Sequence, residues 1–558
     1  MKRQTLVLLM FLGGFLLVAA KLFYWQVIVS ERLVEAARDQ YFFSLNLPPA
    51  RGKILASDGS PMVTNKTAYL VYGEPKQISD RNIFVNKVTE TLKLSKEDLI
   101  QKLAQANIVW VSIAHRVDEG KAQELKSMSL PGLGFEKEAV RFYPEGSMAA
   151  QLMGFVGSDT NGQDKGYFGL EGFYDRALKG KPGSLLQEKD AQGLPLLLGT
   201  EKRIPAENGQ DLELYLDRSV QLILENRLQA GLQKYGAKAA MVAVMDPKTG
   251  GILGTAALPK YAPAEFNKAS PQSFPNPLVA NTYEPGSTFK ALVMAAALNE
   301  KVVKPETKYN ETGPVPVGEY LIRTWNSEYH GDLTMTQVLE KSSNPGMVFV
   351  GQKLGKDKML DYLNKFGFGQ KSGIDLEEEA APGLRSADDW KEIDLATASF
   401  GQGIAVTPIQ MLRAVGVLSN QGKLMQPLVV KKIIDVNGKV IENKPRLLSE
   451  VIKPATAQII TEMLIAAVDN GEAKWAKPKG YRIAGKTGTA QIAVSGHYDD
   501  KKTIASFVGY APADDPKFVM LVLLQEPTSS PWGSETAAPL FFDIAKDLFA
   551  YYSISPKD

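Results

Sequence analysis

A chain of 558 residues, 44% hydrophobic and 23% charged, is globular and too long for a single hydrophobic core, so two or three domains are expected. A formal net charge of +2, with no Lys/Arg-rich run interleaved with aromatics, argues against nucleic acid as a partner. Cysteine is absent, which removes disulfides, thiolate metal sites and a cysteine nucleophile, and His115, His330 and His497 lack metal-ligand spacing.

The N-terminal stretch MKRQTLVLLMFLGGFLLVAAKLFYWQVIV opens with Lys2 and Arg3 and is apolar from Thr5 to Ala20, continuing past Lys21 through Leu22, Phe23, Tyr24 and Trp25. A helix from Thr5 to Val29 would measure roughly 37 Å, enough to span a hydrocarbon core of about 30 Å with some tilt. Lys21 can snorkel, and Tyr24 and Trp25 suit the interface. Basic residues ahead of the helix predict a cytoplasmic N-terminus and an exported bulk, in keeping with a chain that avoids free thiols. Val18-Ala19-Ala20 offers the rival reading of a cleaved signal peptide. The apolar pattern carries on beyond that site and favours an uncleaved anchor.

After the anchor, Glu31 to Gln40 reads as a polar helix and Pro48-Pro49-Ala50-Arg51-Gly52 punctuates its end. A first soluble region mixes short β-rich pieces such as Thr67 to Val71 with amphipathic helices such as Lys96 to Gln105, and Gly-rich loops are expected at Gly157 to Gly172 and Lys179 to Gly183. Pro205 to Gly209 reads as a linker. The expected boundaries are therefore 1–30 for the cytoplasmic tip and anchor, 31–205 for the first soluble region and 206–558 for the second.

The second region opens on a helix whose apolar face is Val220, Ile223, Leu224, Leu228, Leu232 and Tyr235. Two apolar runs, Ala240 to Met245 and Ile252 to Ala257, flank Asp246-Pro247-Lys248-Thr249-Gly250-Gly251, so this first Lys-Thr-Gly is the tip of a hairpin. A second copy, in IAGKTGTAQ, leads into a strand, followed by strand-like runs at Thr503 to Tyr510 and Phe518 to Leu524 and a closing amphipathic helix, Thr536 to Tyr552. Strands at both ends with helices between predict an α+β fold, an antiparallel sheet flanked by helices.

Three motifs carry chemistry. In TYEPGSTFKALVMAAALNE, Ser287 follows Pro285-Gly286 and precedes an Ala/Leu/Met-rich run, so it reads as a helix N-terminus and N-cap. Lys290, three residues on, shares its face. A nucleophile with a base beside it results, provided that Lys290 is neutral. Desolvation and a second positive charge would both lower its value from the usual 10.4 or so. Lys486 of the second Lys-Thr-Gly can supply that charge, while Thr487 and Thr489 hold a substrate carboxylate and the Ser287 and Thr489 N–H groups form an oxyanion hole, an element worth about 3 to 4 kcal/mol per donor. In VLEKSSNPGM, Ser342-Ser343-Asn344 lies in a loop between helices, where Ser342 can relay a proton and Asn344 can bind a substrate amide. Each motif alone is weak. Their order, S-x-x-K, S-x-N, K-T-G-T, is what carries weight.

With YEPGSTFK, KSSNPG and GKTGTAQ in that order, the chain resembles the class B penicillin-binding proteins, membrane-anchored peptidoglycan D,D-transpeptidases. FGQGIAVTPIQM (Phe400 to Met411) resembles a family segment behind the site, and PPARGKI and GLEGFYDRALKGKPG resemble the family's pedestal. One departure is Ala56-Ser57-Asp58-Gly59, where the family often has Asp-Arg-Asn-Gly. The resemblance implies a transpeptidase domain of the penicillin-binding and serine β-lactamase kind behind an anchor and a β-rich pedestal. It implies Ser287 as nucleophile toward a D-Ala-D-Ala stem peptide, Lys290 as base, Ser342 as proton relay, Asn344 as positioner, and Lys486, Thr487 and Thr489 as carboxylate site, with Ser343 and Gly488 in the substrate-binding set. β-Lactams would acylate Ser287, and an amine from a neighbouring stem would take the ester. No metal or organic cofactor is implied. A polytopic glycosyltransferase and other cell-wall complex proteins are the expected partners.

A β-lactamase would need a hydrolytic glutamate in an E-x-x-L-N motif, and Leu360 stands where it would be, before Leu363-Asn364. A membrane-anchored β-lactam sensor and a mainly scaffolding role remain as alternatives. S-x-N in the second motif leans toward a division-type rather than an elongation-type enzyme. His330 reads as structural, His497 as exposed, and the acidic run Leu376 to Ala380 as a solvated loop.

Overall fold

The computed structural model describes residues 3–34, 42–104, 110–160, 162–188, 201–494 and 497–557. Helix α1 (Arg3–Phe23) and a π-helical turn (Tyr24–Ile28) form the expected apolar rod, about 39 Å long at 1.5 Å per residue and exposed along its length. Lys21 Nζ lies 5.6 Å from the ring centres of both Tyr24 and Trp25, a cation beside two aromatic rings. Of the expected polar helix at Glu31 to Gln40, residues 35–40 lie outside the described residues, as does Gln105 of the helix otherwise found at Lys96–Leu103.

The chain divides into two compact units: Met1–Arg51, Lys66–Val140 and Gly180–Gly209 form one; Gly52–Asn65, Arg141–Lys179 and Gln210–Asp558 form the other. The first holds the Lys66–Gly73 part of strand Pro61–Gly73, flanked by strand Val111–Asp118 and by strand Leu133–Phe142 up to Val140, and the helices Arg81–Leu92, Lys96–Leu103 and Glu119–Ser127 cover them. Asp80 and Ser95 cap the first two of these helices by accepting from their free N–H groups. Tyr69, Val71, Phe84, Val88, Leu99, Ile113 and Leu125 make its core.

The second unit is organised by a five-stranded antiparallel sheet. Helix α2 (Arg218–Tyr235), capped by Asp217 and ended by a left-handed Gly236, precedes the hairpin β1 (Ala239–Met245) and β2 (Ile252–Leu258). The helical middle contributes α3 (Lys290–Asn299), α4 (Met335–Glu340), α5 (Asn344–Leu354), α6 (Pro408–Ser419) and α7 (Pro454–Asn470). Strands β3 (Ala484–Val494), β4 (His497–Ala511) and β5 (Phe518–Gln525) and helix α8 (Ala537–Tyr551) close the unit. The strand order is β2-β1-β5-β4-β3.

The alternation of strand side chains sorts this sheet into two cores. Ala240, Val242 and Val244 of β1 face α2 and α8, together with Phe507, Met520 and Val522; Met241, Ala243 and Met245 face the helical middle, together with Val508, Val519 and Leu521. Strand β5 is therefore apolar at nearly every position, because helices cover both faces. Helices α3 and α6 are buried all round for the same reason and carry small and aliphatic residues instead of an amphipathic stripe.

Two loop readings are corrected. Gly157 to Gly172 contains a hairpin, Phe155–Ser158 against Asp164–Tyr167, and a helical turn, Gly169–Phe173. Its glycines masked an aromatic cluster in which Phe155 stacks on Phe266 at 4.2 Å and on Tyr167 at 5.8 Å. The acidic run is not a solvated loop: Leu376 is buried, Glu379 is buried and accepts from Ser372 N and Gly373 N, and Glu377 accepts from Phe168 N. These carboxylates satisfy backbone donors of a chain with no regular structure there.

Gly401 has φ of +80°, and a Cβ there would sit 2.2 Å from the carbonyl oxygen of Gly286, whose N–H donates to Gly401 O at 3.0 Å. Gly401→Ala should therefore cost at least about 2 kcal/mol, from left-handed backbone plus displacement of the turn that bears Ser287. Urea unfolding of the variant measures the loss.

Candidate active site

The three motifs converge in the second unit. Ser287 stands in a 3-10 turn, Gly286–Phe289, that runs into α3. It is not the N-cap expected from the sequence: the turn and the helix are preceded by Pro285 and Phe289, neither of which caps through its side chain, and Thr288 is the residue that bonds back, to Pro285 O at 2.6 Å. The Ser287 hydroxyl is thereby left without a capping role at the wall of a cleft. That cleft encloses about 950 Å3 including its open mouth, and Ser342, Asn344, Thr487, Gly488 and Thr489 also line it.

Lys290 is fully buried (0% exposed). Its Nζ donates to the Ser342 carbonyl at 2.6 Å and to Asn344 Oδ1 at 2.7 Å, and lies 3.2 Å from Ser342 Oγ. Two of these three partners are oxygens that only accept; the third is a hydroxyl that can donate. A neutral amine, with two N–H bonds and one lone pair, satisfies this set in full. Burial, then the positive charge of Lys486, pushes Lys290 well below the ordinary lysine value, with Glu472 and Glu311 opposing. Lys486 is itself buried, 4% exposed, and pushed down to about 8 by desolvation, again opposed by Glu472.

The turn carrying the second motif is built to aim at that amine. Ser342 adopts φ of +53°, an uncommon conformation for a residue with a side chain, and so offers both its carbonyl and its hydroxyl to Lys290. Asn344 is the first residue of α5 rather than a loop residue, and its Nδ2 donates to Arg323 O at 3.0 Å, which turns Oδ1 toward Lys290. Ser343, 1% exposed, is not brought into the cleft: it caps α5 by accepting from Gly346 N at 2.8 Å and donates to the buried carboxylate of Glu311. Glu311 also accepts from the His330 N–H at 3.2 Å, so His330 contributes through its backbone.

The third motif lies on edge strand β3, where Lys486 pairs with Val508 and Gly488 with Ser506. A Cβ on Gly488 would meet Ser506 Oγ at 2.4 Å and Thr288 Cγ2 at 2.8 Å, so glycine there lets the strand close on the turn next to Ser287. Thr489 Oγ1 accepts from Gly533 N at 3.0 Å, and Lys486 Nζ lies 3.1 Å from Thr487 Oγ1. The first Lys-Thr-Gly is turn material as expected: Lys248 N and Thr249 Oγ1 both bond Asp246, and Lys248 Nζ pairs with Asp515 at 2.6 Å. His497 belongs to β4, but its side chain lies outside the described residues.

Sequence reasoning missed several cleft residues. Phe400 and Gln402, in the segment expected behind the site, line it directly, as do Trp325 and Trp532, whose rings meet edge to face at 4.8 Å, and Glu472. Single aromatic or acidic residues in loops carry no periodicity by which to find them. Glu311 was equally invisible. Among the described residues no group of three His, Asp or Glu side chains converges as a metal site.

The sequence matches the penicillin binding protein transpeptidase domain over residues 240–546 and the penicillin-binding protein dimerisation domain over 46–214. It is 35% identical over 563 residues to Stage V sporulation protein D of Bacillus subtilis, covering 100% of this chain and 86% of that one. The chain is a class B penicillin-binding protein. Another relative, the peptidoglycan D,D-transpeptidase FtsI homolog of Mesostigma viride, is 29% identical over 99% of this chain and 96% of its own length. Among solved structures, Penicillin Binding Protein 2X of Streptococcus thermophilus superposes with a TM-score of 0.77 at 25% identity, covering 92% of this chain and 80% of that one. Penicillin binding protein 3 of Mycobacterium tuberculosis, solved with aztreonam, gives 0.71 at 26% identity, covering 92% and 98%. This penicillin-binding protein accordingly has the family's α+β transpeptidase fold after an N-terminal apolar helix and a dimerisation domain, and it is a peptidoglycan D,D-transpeptidase that binds β-lactams.

The buried lysines make stability depend on pH with a definite sign. Lys290 holds fewer protons folded than unfolded between its lowered folded-state value and the ordinary 10.5, so stability is diminished at low pH and recovers as pH rises through that window. Lys290→Met should flatten the rise of unfolding free energy with pH by up to about 1.4 kcal/mol per pH unit within the window. Urea midpoints of both proteins from pH 6 to about 10 measure the slope.

Proposed function

We propose that this transpeptidase works through a serine acyl-enzyme on Ser287. The observation that carries the reading is the buried Lys290 amine, bonded to Ser342 and Asn344, two residues that line one cleft with Ser287. Lys290, kept uncharged by burial and by Lys486, takes the Ser287 proton as Oγ attacks the penultimate carbonyl of a D-Ala-D-Ala stem. The N–H groups of Ser287 and Thr489 receive the oxyanion. Ser342, which shares a contact with the Lys290 amine, passes the proton to the leaving D-Ala nitrogen. Lys486, Thr487 and Thr489 hold the terminal carboxylate, Asn344 orients the donor amide, Gly488 admits the peptide along the strand edge, and Ser343 supports substrate binding by holding the turn. An acceptor amine then takes the acyl group and restores Ser287. Metals and organic cofactors have no part in these steps.

Along the chain we assign residues 1–30 to the cytoplasmic tip and anchor, 31–205 to the pedestal and 206–558 to the transpeptidase region. Lys2 and Arg3 ahead of the apolar helix favour a single-pass orientation with the catalytic unit outside the membrane. A polytopic glycosyltransferase that supplies the glycan strands is the expected membrane partner, within a larger cell-wall complex. The S-x-N second motif supports a division-type role. Identity along the whole chain to a protein named for stage V sporulation favours a second reading, cross-linking during spore formation. Depletion separates them: loss of septa during growth supports the first, and normal growth with defective spores supports the second.

Mass spectrometry after treatment with benzylpenicillin should find one stable adduct, on the peptide containing Ser287, and none in Ser287→Ala. Lys290→Met should fold and acylate about 10²- to 10⁴-fold more slowly. An adduct that survives Ser287→Ala places the nucleophile elsewhere.

A further inference from the structure

The reaction brings two substrates of opposite charge to one cleft. The donor ends in a carboxylate, which the positive charge of Lys486 suits. The acceptor arrives as an ammonium, which that same charge repels once the terminal D-Ala has left with its carboxylate. Some negative group must offset that field.

Glu472 is the one acidic residue lining the cleft among the described residues. It is exposed, and its carboxylate has no hydrogen-bond or ion-pair partner there. Its loop is nonetheless fixed. Asn470 Nδ2 donates to Glu340 Oε1 at 2.8 Å, tying the end of α7 to the helix that leads into Ser342, and Lys477 Nζ pairs with Asp469 on the far side of the loop. Glu472 lines the same cleft as Ser287, Ser342 and Asn344, and its charge opposes the lowering of both Lys290 and Lys486. A carboxylate at the wall of a cleft whose other lining residues are uncharged is placed to meet a cation.

We infer that Glu472 is the docking residue for the acceptor ammonium, and that it thereby sets the preference of the acyl-enzyme for a cationic amine over water. This rests on the Ser287 acyl-enzyme proposed above. The docked ammonium gives one proton through the exposed carboxylate to solvent, and its freed lone pair attacks the ester carbonyl. The new C–N bond replaces the C–Oγ bond, and the second nitrogen proton returns to Ser287 Oγ. Overall, ammonium and ester become amide, serine and a released proton.

The test is the partition of one acyl-enzyme between two acceptors, which does not depend on how fast that acyl-enzyme formed. Full-length protein in detergent is acylated with a depsipeptide or thioester donor, and the ratio of aminolysis to hydrolysis is read with D-lysine or diaminopimelate as cationic acceptor and with hydroxylamine, uncharged at neutral pH, as control. For Glu472→Gln the ratio should fall at least about tenfold with the cationic acceptors, which is about 1.4 kcal/mol, and stay within about twofold with hydroxylamine. Glu472→Asp should recover part of the loss, and Glu472→Lys should deepen it. An unchanged ratio with the cationic acceptors, or an equal fall with hydroxylamine, overturns the assignment. Absence of any acyl-enzyme in the wild-type protein would instead defeat the serine mechanism, and the two failures are told apart by the benzylpenicillin adduct.

Discussion

One buried amine governs the arrangement of this molecule. Lys290 sits at the start of a helix with no exposed face, and its Nζ is held by a carbonyl, an amide oxygen and a hydroxyl that belong to a different pair of helices. Burial takes away the water that would keep it charged, and Lys486 on the sheet edge adds a repulsive charge. What remains is a buried amine three residues from a serine whose own hydroxyl has been freed from helix capping, the pair proposed above as base and nucleophile. The surrounding features serve that contact. Ser342 takes a left-handed backbone to offer two oxygens, Ser343 and Glu311 pin the turn from behind, and Gly488 and Gly401 let the strand and the FGQG segment close on the Ser287 turn.

Such a centre costs stability, since two lysines are kept dry in one place and at least one of them is held away from its preferred charged form. The sheet offsets the cost. Its two faces pack into separate apolar cores, so the edge strand β3 and the turn before α3 are braced by structure that takes no part in chemistry. The proposed chemistry lies on the edge of the sheet and at the tips of helices, while the centre supplies rigidity and a low dielectric.

Much of this was legible before any coordinates. The apolar N-terminal helix, the β1–β2 hairpin, strands β4 and β5 and the closing helix follow from hydrophobic runs and periodicity, and the family's three motifs named Ser287, Ser342, Asn344, Thr487, Gly488 and Thr489, which line the cleft, while Ser343 turns away from it. The misses share a cause. Glycine-rich and acid-rich stretches look like open loops, yet Phe155, Tyr167 and Phe168 build an aromatic cluster around one, and buried backbone donors recruit Glu377 and Glu379 in the other. Helix capping at Ser287 was read from residue type, but a 3-10 turn intervenes and Thr288 bonds back in its place. Glu311, Trp325, Glu472 and Trp532 depend on where distant loops come to rest, which no local pattern encodes.

The most direct test of the central contact is the protonation state of Lys290 itself. In full-length protein labelled with 13C-lysine, the Lys290 ε-carbon resonance, assigned by its loss in Lys290→Arg, should report a neutral amine at neutral pH and should titrate well below the other lysines. A resonance that keeps the ammonium shift up to the ordinary lysine value of about 10.4 would contradict the account.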